Sequence, residues 1–184
     1  MSYDKEFWNA YTHENEARYN EEFAKFVRDL ASSLGCTSIL EIGCGTGIDL
    51  RLFPESCRVF GVDLNETALD IARQKMPTAT FENGTITNLP FDDSSVDFVF
   101  THQLLNYLDD KTLEKGASEM YRVARKYIMN CEKFEESEKQ ITHNQKYRNM
   151  KKWWMDYKVK IVSNVDMHEE IEPDKARFTL LRKL

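Results

Sequence analysis

The feature that most constrains this chain is residues 39–47, ILEIGCGTG, in which a short apolar run is followed at once by three glycines at alternate positions. An apolar run of this length bounded by glycine is typical of a buried parallel strand. Glycine has no Cβ, so it permits a sharp turn and a close approach of the backbone to a ligand. Because Ile48 to Phe53 are apolar enough to begin a helix, the sequence predicts the strand, turn and helix of a nucleotide-binding doubly wound sheet.

Strand-like and helix-like segments alternate along the rest of the chain. Apolar spacing predicts helices over about 16–34 and after the capping residues Asn65 and Asp110. Short apolar runs predict further strands at 58–63, 79–82, 96–100 and 127–130. For the last third we expect a helix near 144–156, then two strands joined around 172–174. This alternation predicts an α/β fold with a mostly parallel sheet and helices on both faces.

Length and composition restrict the class of protein. A chain of 184 residues is expected to form a single domain, and its net charge of −6 argues against a partner bound through a nucleic-acid backbone. The four scattered cysteines form no C-x-x-C pair, which favours reduced thiols over disulfides or a zinc site. With no signal pattern at the N-terminus and no apolar run of about 20 residues, we expect a cytoplasmic protein that binds no membrane.

Two classes of ligand compete for the glycine turn. The dinucleotide fingerprint G-x-G-x-x-G would place its last glycine where this chain has Ile48. Glu41 lies immediately before the turn, where a carboxylate would repel a pyrophosphate and attract a cation. Asp63, twenty residues after Gly43, lies where an acid accepts hydrogen bonds from ribose hydroxyls. The pattern therefore favours a nucleoside that carries positive charge.

Three motifs together carry a family resemblance. They are E-x-G-x-G-x-G at 41–47, Gly61-Val62-Asp63, and NLPFDDSSVD at 88–97. This set resembles the class I S-adenosylmethionine-dependent methyltransferases of the "type 11" kind, over residues 38–126. The resemblance implies a three-layer αβα Rossmann-like sandwich around a seven-stranded sheet, with one antiparallel strand near the C-terminus. It implies S-adenosylmethionine as cofactor, S-adenosylhomocysteine as product and no metal.

The resemblance also implies roles for particular residues. By its motifs, Gly43, Cys44 and Gly45 would line the methionine portion of the cofactor, with Glu41 behind them. Asp63 would hold the ribose.

Four further residues are carried over in the same way. Leu64 would pack on the adenine, and Thr85 with Ile86 would meet the adenine edge, although Thr85 replaces the usual Asp. Thr101 and His102 would touch the methionine amino group and face the acceptor. A shorter resemblance, in FW-x-x-YT at 7–12 and in Trp153-Trp154, is to methylases associated with pseudaminic acid biosynthesis.

Several residues fit two alternative roles. Glu41 is expected either to contact the ligand or to accept backbone N–H groups from behind. His102 is the candidate general base, because an unperturbed imidazole pKa near 6.5 suits proton removal, but it also fits a histidine that only lines the pocket. Tyr11 is expected either to cover the cofactor as part of an N-terminal lid or to pack in the core. The basic and aromatic residues of 146–160 fit an anion site or a solvated helix face.

The leading hypothesis is methyl transfer to an oxygen or nitrogen of a small molecule, for which a sugar or nucleotide-sugar metabolite is one class. The alternatives are a nicotinamide-dependent oxidoreductase and a non-catalytic cofactor-binding protein. We divide the single domain into an N-terminal lid and helix (1–35), a cofactor-binding core (36–131) and a substrate-side segment with the last two strands (132–184). A monomer or homodimer is expected.

Overall fold

The computed structural model describes Trp8, Ala10, Thr12 and residues 20–173 and 175–184. Seven strands of the described chain form one sheet in the order β3-β2-β1-β4-β5-β9-β8. These strands are β1 (Ser38–Ile42), β2 (Arg58–Asp63), β3 (Thr80–Asn83), β4 (Val96–His102), β5 (Ala124–Lys133), β8 (Val159–Asp166) and β9 (Ala176–Lys183). A separate hairpin consists of β6 (Lys139–Thr142) and β7 (Gln145–Tyr147).

The sheet is parallel apart from its last strand. β9 pairs antiparallel with both β5 and β8, whereas the pairs formed by β1 to β5 are parallel. The predicted fold class, a seven-stranded mostly parallel sheet with one antiparallel strand near the C-terminus, is confirmed. Because parallel strands end at the same edge, the ends of β1, β2 and β4 lie side by side.

Each face of the sheet carries its own apolar core. The helices are α1 (Glu21–Ser33), α2 (Glu66–Lys75), α3 (Asp110–Val123) and the single turn α4 (Met150–Trp153). One face packs α1 and α2 through Phe23, Val27 and Leu69 against Ile39, Phe98 and Phe100. The other face packs Leu113 and Ala117 of α3 and Trp154 against Leu40, Val99 and Ile128. Residues that alternate along a strand point to opposite faces, so the two cores follow from the strand pattern.

Helix starts follow the capping rule, with one correction. Asn20 and Asn65 accept backbone N–H groups of the first turns of α1 and α2. The cap of α3 is Asp109, which accepts the Thr112 N–H, and not Asp110 as expected from the sequence. Two neighbouring aspartates are both good caps, and the backbone conformation selects between them.

Two predicted elements are wrong. The glycine turn leads into a 3-10 turn at Ile48–Leu50 and not into a longer helix. The helix predicted near 144–156 is replaced by the β6–β7 hairpin and by α4. In that segment Trp154 is buried against the sheet. It reaches its apolar neighbours because the chain folds back onto the sheet, and not because it lies on the apolar face of a long helix. No helix in the described ranges is long and apolar enough to cross a bilayer.

Candidate functional site

A cleft of about 620 Å³ opens at the edge of the sheet where β1, β2 and β4 end. Its floor is the glycine turn. Gly43, Gly45 and Gly47 have φ of 76°, 52° and 72°, a backbone conformation that side chains disfavour. A Cβ on Gly45 would meet nothing within 4 Å, so the backbone there faces open space. The turn therefore leaves room for a ligand against the main chain.

Asp63 is fixed at the end of β2 by the same turn. Its Oδ2 accepts the Gly45 N–H at 2.8 Å, and its Oδ1 accepts the Asn65 N–H at 2.8 Å. Burial raises the pKa of Asp63, although these backbone hydrogen bonds oppose the rise. The carboxylate lines the cleft in a defined orientation, and carboxylate oxygens have further lone pairs for hydroxyl donors.

A pair of buried acids lies next to the turn. Glu41, at 3% exposure, and Asp49, at 4%, both line the cleft and interact electrostatically. Burial first, and then the charge of Asp49, raise the pKa of Glu41 well above its usual value. Oε2 of Glu41 has no hydrogen-bond partner among the described residues. An unpartnered buried acceptor beside a second carboxyl suits a cationic or hydrogen-donating ligand.

Of the three residues predicted to lie beside the adenine, Leu64 and Ile86 line the cleft and Thr85 does not. Leu64 is 57% exposed and lines the cleft, and the buried Ile86 lines it as well. Thr85 is not among the lining residues, and its hydroxyl instead forms a hydrogen bond with that of Thr87 at 2.9 Å. The cleft wall beside Ile86 is backbone at Gly84, which donates its N–H to the Asp63 carbonyl.

Of the two residues predicted at the end of β4, only His102 lines the cleft. Thr101 is fully buried behind the cleft, where its hydroxyl accepts a hydrogen bond from the Asn130 amide at 2.9 Å. His102 lines the cleft, with Nδ1 at 2.7 Å from Asp49 Oδ2 and Nε2 at 2.7 Å from Glu172 Oε2. With a carboxylate at each nitrogen, both nitrogens donate, and the ring has no lone pair with which to accept a proton. This geometry does not favour the general-base role expected for His102.

The N-terminal segment lies along the cleft where it is described. Trp8 lines the cleft and packs edge-on against Tyr107, with ring centroids 5.7 Å apart. Thr12 is buried, and its hydroxyl accepts a hydrogen bond from the Asn65 amide at 2.9 Å. Tyr11, the predicted lid residue, lies outside the described residues. Cys44 lines the cleft close to the turn, and burial raises the pKa of its thiol.

Several lining residues were missed from the sequence. Asp49 and Glu172 are two of them, and Gln103 is a third, with φ of 53° and a buried Nε2 that has no partner among the described residues. Gln145 reaches the cleft from the β6–β7 hairpin and contacts the Tyr107 hydroxyl at 3.3 Å. Asp49 lies four residues beyond Gly45 and Gln103 directly follows the predicted His102, so both are close in sequence to predicted site residues. Glu172 and Gln145 come from distant segments. The described ranges hold no group of three metal-ligating side chains placed to bind a metal.

Comparisons with known proteins agree with this geometry. Residues 39–127 match the protein family described as "Methyltransferase domain". A probable S-adenosylmethionine-dependent methyltransferase of Mycolicibacterium smegmatis is 33% identical over 97 residues, covering 52% of this chain and 37% of the relative. A malonyl-[acyl-carrier protein] O-methyltransferase of Serratia marcescens gives the same identity and coverage. The match thus spans little more than a third of either relative.

A solved structure extends the likeness of the fold. Magnesium protoporphyrin IX methyltransferase from Synechocystis PCC 6803, with bound S-adenosylhomocysteine, superposes with a TM-score of 0.70 at 14% identity. The superposition covers 88% of this chain and 82% of that one. At 14% sequence identity this likeness shows a shared fold only. The evidence on the family comes from the sequence matches. Together with the glycine turn and Asp63, they show that residues 39–127 match a methyltransferase domain and are similar in sequence to S-adenosylmethionine-dependent methyltransferases.

Proposed function

We propose that this protein transfers the methyl group of S-adenosylmethionine to an oxygen or nitrogen of a small-molecule acceptor. The observation that carries the proposal is the buried Glu41, whose unpartnered oxygen faces a glycine turn that has room for a ligand. A cation that donates hydrogen bonds, such as an amino acid ammonium beside a sulfonium, satisfies both Glu41 and its neighbour Asp49. A dinucleotide pyrophosphate carries no hydrogen-bond donor for the carboxyl oxygens there.

The residues of the cleft bind and orient, and no covalent nucleophile is required. When bound, the cofactor supplies a methyl group made electrophilic by the sulfonium charge. Glu41, Gly43, Cys44 and Gly45 would hold its methionine portion, and Asp63 would accept the ribose hydroxyls. Leu64 and Ile86 would enclose the adenine. Catalysis then depends on holding the acceptor in line with the methyl group, which is an effect of proximity and orientation.

For the acceptor, we propose a sugar or nucleotide-sugar metabolite as the first class to test. The cleft beyond β4 is lined by the amides of Asn20, Gln103 and Gln145 and by the rings of Trp8 and Tyr107. Amides that hydrogen-bond hydroxyls and rings that pack on a flat apolar surface are a suitable combination for a sugar. Since one relative is named for a carrier-bound malonyl group, a malonyl thioester is the natural comparison substrate.

The proposal assigns a task to each part of the single domain. Residues 1–35, with Tyr11 and Trp8, would cover the cleft; residues 36–131 would bind the cofactor; residues 132–184 would shape the acceptor side. A cytoplasmic location is proposed on the four cysteines, all of which are free thiols.

A binding experiment tests the cofactor assignment. S-adenosylhomocysteine should raise the melting temperature of the wild-type protein and NAD should not, because a ligand at 100 times its Kd adds about 2.7 kcal/mol to the unfolding free energy. Asp63→Ala should weaken this response at least tenfold in concentration, since a buried carboxylate that orients the ribose is lost. Asp92→Ala, an exposed aspartate on the loop before β4, is the matched control and should respond like wild type.

Two results would contradict the proposal. Stabilisation by NAD and not by S-adenosylhomocysteine would place the protein among the nicotinamide-dependent oxidoreductases. Binding of S-adenosylhomocysteine with no methyl transfer to any of a panel of sugars, nucleotide sugars, amines and malonyl thioesters would favour a non-catalytic cofactor-binding protein.

A further inference from the structure

His102 joins three separate segments of the chain. It ends β4, Asp49 lies in the turn after the glycine motif, and Glu172 lies in the connection between β8 and β9. Both hydrogen bonds from its ring are 2.7 Å long, and the ring stacks on Phe23 of α1 with centroids 3.7 Å apart and planes 19° apart. All three polar side chains are mostly buried, at 14% for His102, 5% for Asp49 and 6% for Glu172.

The charges around the ring favour the imidazolium. Burial alone would lower the pKa of His102, but Asp49 and then Glu172 outweigh it and raise the pKa to about 10. Glu132 of β5 interacts electrostatically with the ring, and Cys131 of β5 lies opposite His102 in the strand register. Asp49, which also interacts electrostatically with Glu41, is thus joined by hydrogen bonds through His102 to Glu172.

Glu172 belongs to a segment that forms part of the cleft wall. Glu172 and Pro173 line the cleft, and so does Asn20, whose amide donates to the Ile171 carbonyl at 2.5 Å. Within the segment the Glu172 N–H donates to the His168 carbonyl at 2.9 Å. The bond to His102 attaches this wall to the central strand of the sheet. We call residues 167–173 the wall segment.

The wall segment lines the end of the cleft that a bound cofactor would not fill. The residues assigned to ribose, methionine and adenine follow β1, β2 and β3, whereas His102, Gln103 and the wall segment lie at and beyond β4. A methyl acceptor has to approach from that side.

We propose that Asp49 and Glu172 are positioning residues which, through His102, fasten the wall segment in place beside the methyl acceptor. The assignment rests on the methyl-transfer function proposed above. His102 then serves as a fixed cation between two carboxylates and takes no proton from the acceptor. A wall fastened through the charge-assisted hydrogen bond from His102 to Glu172, with the ring itself fixed by Asp49, keeps a more constant shape than a loop held by neutral contacts.

The protonation of the ring can be measured in the free protein. Long-range ¹⁵N–¹H correlation spectra of the imidazole rings should show His102 with a proton on both nitrogens from pH 6 to pH 9. His168, on the same segment and 65% exposed, provides the internal comparison. If His102 loses a proton between pH 6 and pH 8, the proposal is overturned.

Hydrogen exchange measures whether the wall segment is fastened. In Glu172→Gln and in His102→Gln, the amides of 168–172 should exchange about tenfold faster or more, because a hydrogen bond between charged groups is lost. His143→Gln, a substitution of an exposed histidine on the β6–β7 hairpin, is the matched control and should leave these rates unchanged. If His102→Gln does not fold, Glu172→Gln and Asp49→Asn provide the same comparison. Unchanged exchange in folded Glu172→Gln contradicts the proposal.

A third measurement separates positioning of the acceptor wall from a general loss of structure. Glu172→Gln should bind S-adenosylhomocysteine within about threefold of wild type by calorimetry, since Glu172 lies outside the cofactor residues. A loss of affinity as large as that of Asp63→Ala would overturn the assignment of Glu172 to the acceptor side. Failure of the wild-type protein to bind S-adenosylhomocysteine would instead contradict the proposed function, and the ring titration and the exchange rates are measured independently of it.

Discussion

At the scale of single residues, the glycine motif is supported from behind by a second glycine. Gly61 lies in the middle of β2 and pairs with Glu41 of β1. A Cβ on Gly61 would lie 2.6 Å from Cys44 Sγ and 2.6 Å from Phe81 Cδ1, both of which are side chains of the buried core. The absence of a side chain at Gly61 thus lets Cys44 pack under the turn, and the position of the turn depends on it.

We therefore expect Gly61→Ala to lower the unfolding free energy by about 1–3 kcal/mol, because overpacking displaces neighbours that cannot move freely. Gly84→Ala is the matched control: its nearest neighbour would be Val62 Cγ1 at 3.3 Å, so its loss should be smaller. Urea unfolding of both variants measures the difference. Equal losses, or a larger loss in Gly84→Ala, would show that the space around Gly61 is not limiting.

At the scale of elements, the segment after β5 is held to the sheet by one tryptophan. Trp154, fully buried, donates its indole N–H to the Asn130 Oδ1 at 2.7 Å. The Asn130 amide in turn donates to the Thr101 hydroxyl at 2.9 Å, so α4, β5 and β4 share one buried polar chain. Arg148, only 1% exposed, donates to the carbonyls of Leu105 and Leu108 and so holds the β6–β7 hairpin to the loop after β4.

Trp154→Ala should cost about 3–5 kcal/mol of unfolding free energy, since a large buried side chain leaves a cavity and the Asn130 carbonyl oxygen loses its donor. The neighbouring Trp153 gives a matched control, because its indole N–H reaches Glu138 on the exposed side at 2.6 Å. Trp153→Ala should cost about 1 kcal/mol or less. Denaturant unfolding distinguishes the two, and a similar cost for both would contradict the assignment of Trp154 as the anchor.

At the scale of the whole molecule, buried ionisable groups set the dependence of stability on pH. Glu132 is 1% exposed, and burial raises its pKa to about 7 although the N–H groups of Leu104 and Leu105 oppose the rise. Burial would also raise the pKa of Asp97, but the Thr37 N–H and the Arg125 guanidinium outweigh it and hold that pKa well below its usual range. The two carboxyls therefore act in opposite directions.

The signs follow from linkage. Glu132 has a higher pKa in the folded state than the unfolded value of about 4.3, so its stabilising effect is complete below that pH and is lost as pH rises through 7. His102, with its pKa raised to about 10, loses its contribution from about pH 6.5 upwards. Asp97 contributes above about pH 3.9 and loses its contribution as the pH falls through its low folded pKa.

We therefore expect the unfolding free energy to fall from about pH 5 to pH 8, with a slope of up to about 1.4 kcal/mol per pH unit from Glu132. Glu132→Gln should flatten this decline between pH 5 and pH 7, as measured by urea unfolding at a series of pH values. Glu82→Gln, an exposed glutamate on β3, should keep the wild-type profile. A Glu132→Gln profile as steep as that of wild type would show that another group dominates.

The sequence by itself determined the local features of the fold and the cofactor end of the cleft. Glycines at alternate positions, a carboxylate before them and Asp63 twenty residues later are local signals, because each follows directly from a strand end. The alternation of strands and helices, with the helix cap at Asn65, is likewise determined by local sequence. The hairpin and short helix of 139–153 were mispredicted, since helical spacing of aromatic residues cannot be told from a chain that folds back onto a sheet.

Only the tertiary structure decided which residues line the cleft beyond β4 and which groups hydrogen-bond to His102. A histidine at the end of β4 looks like a base when its neighbours are unknown, and the carboxylates that hold it come from positions 53 residues before and 70 residues after it in the chain. The same holds for Thr101, which the family resemblance placed at the site and which the structure buries behind the cleft, hydrogen-bonded to the Asn130 amide. Strand ends and glycine turns are set by neighbours in sequence, whereas the charge of a buried ring is set by whatever the folded chain places against it.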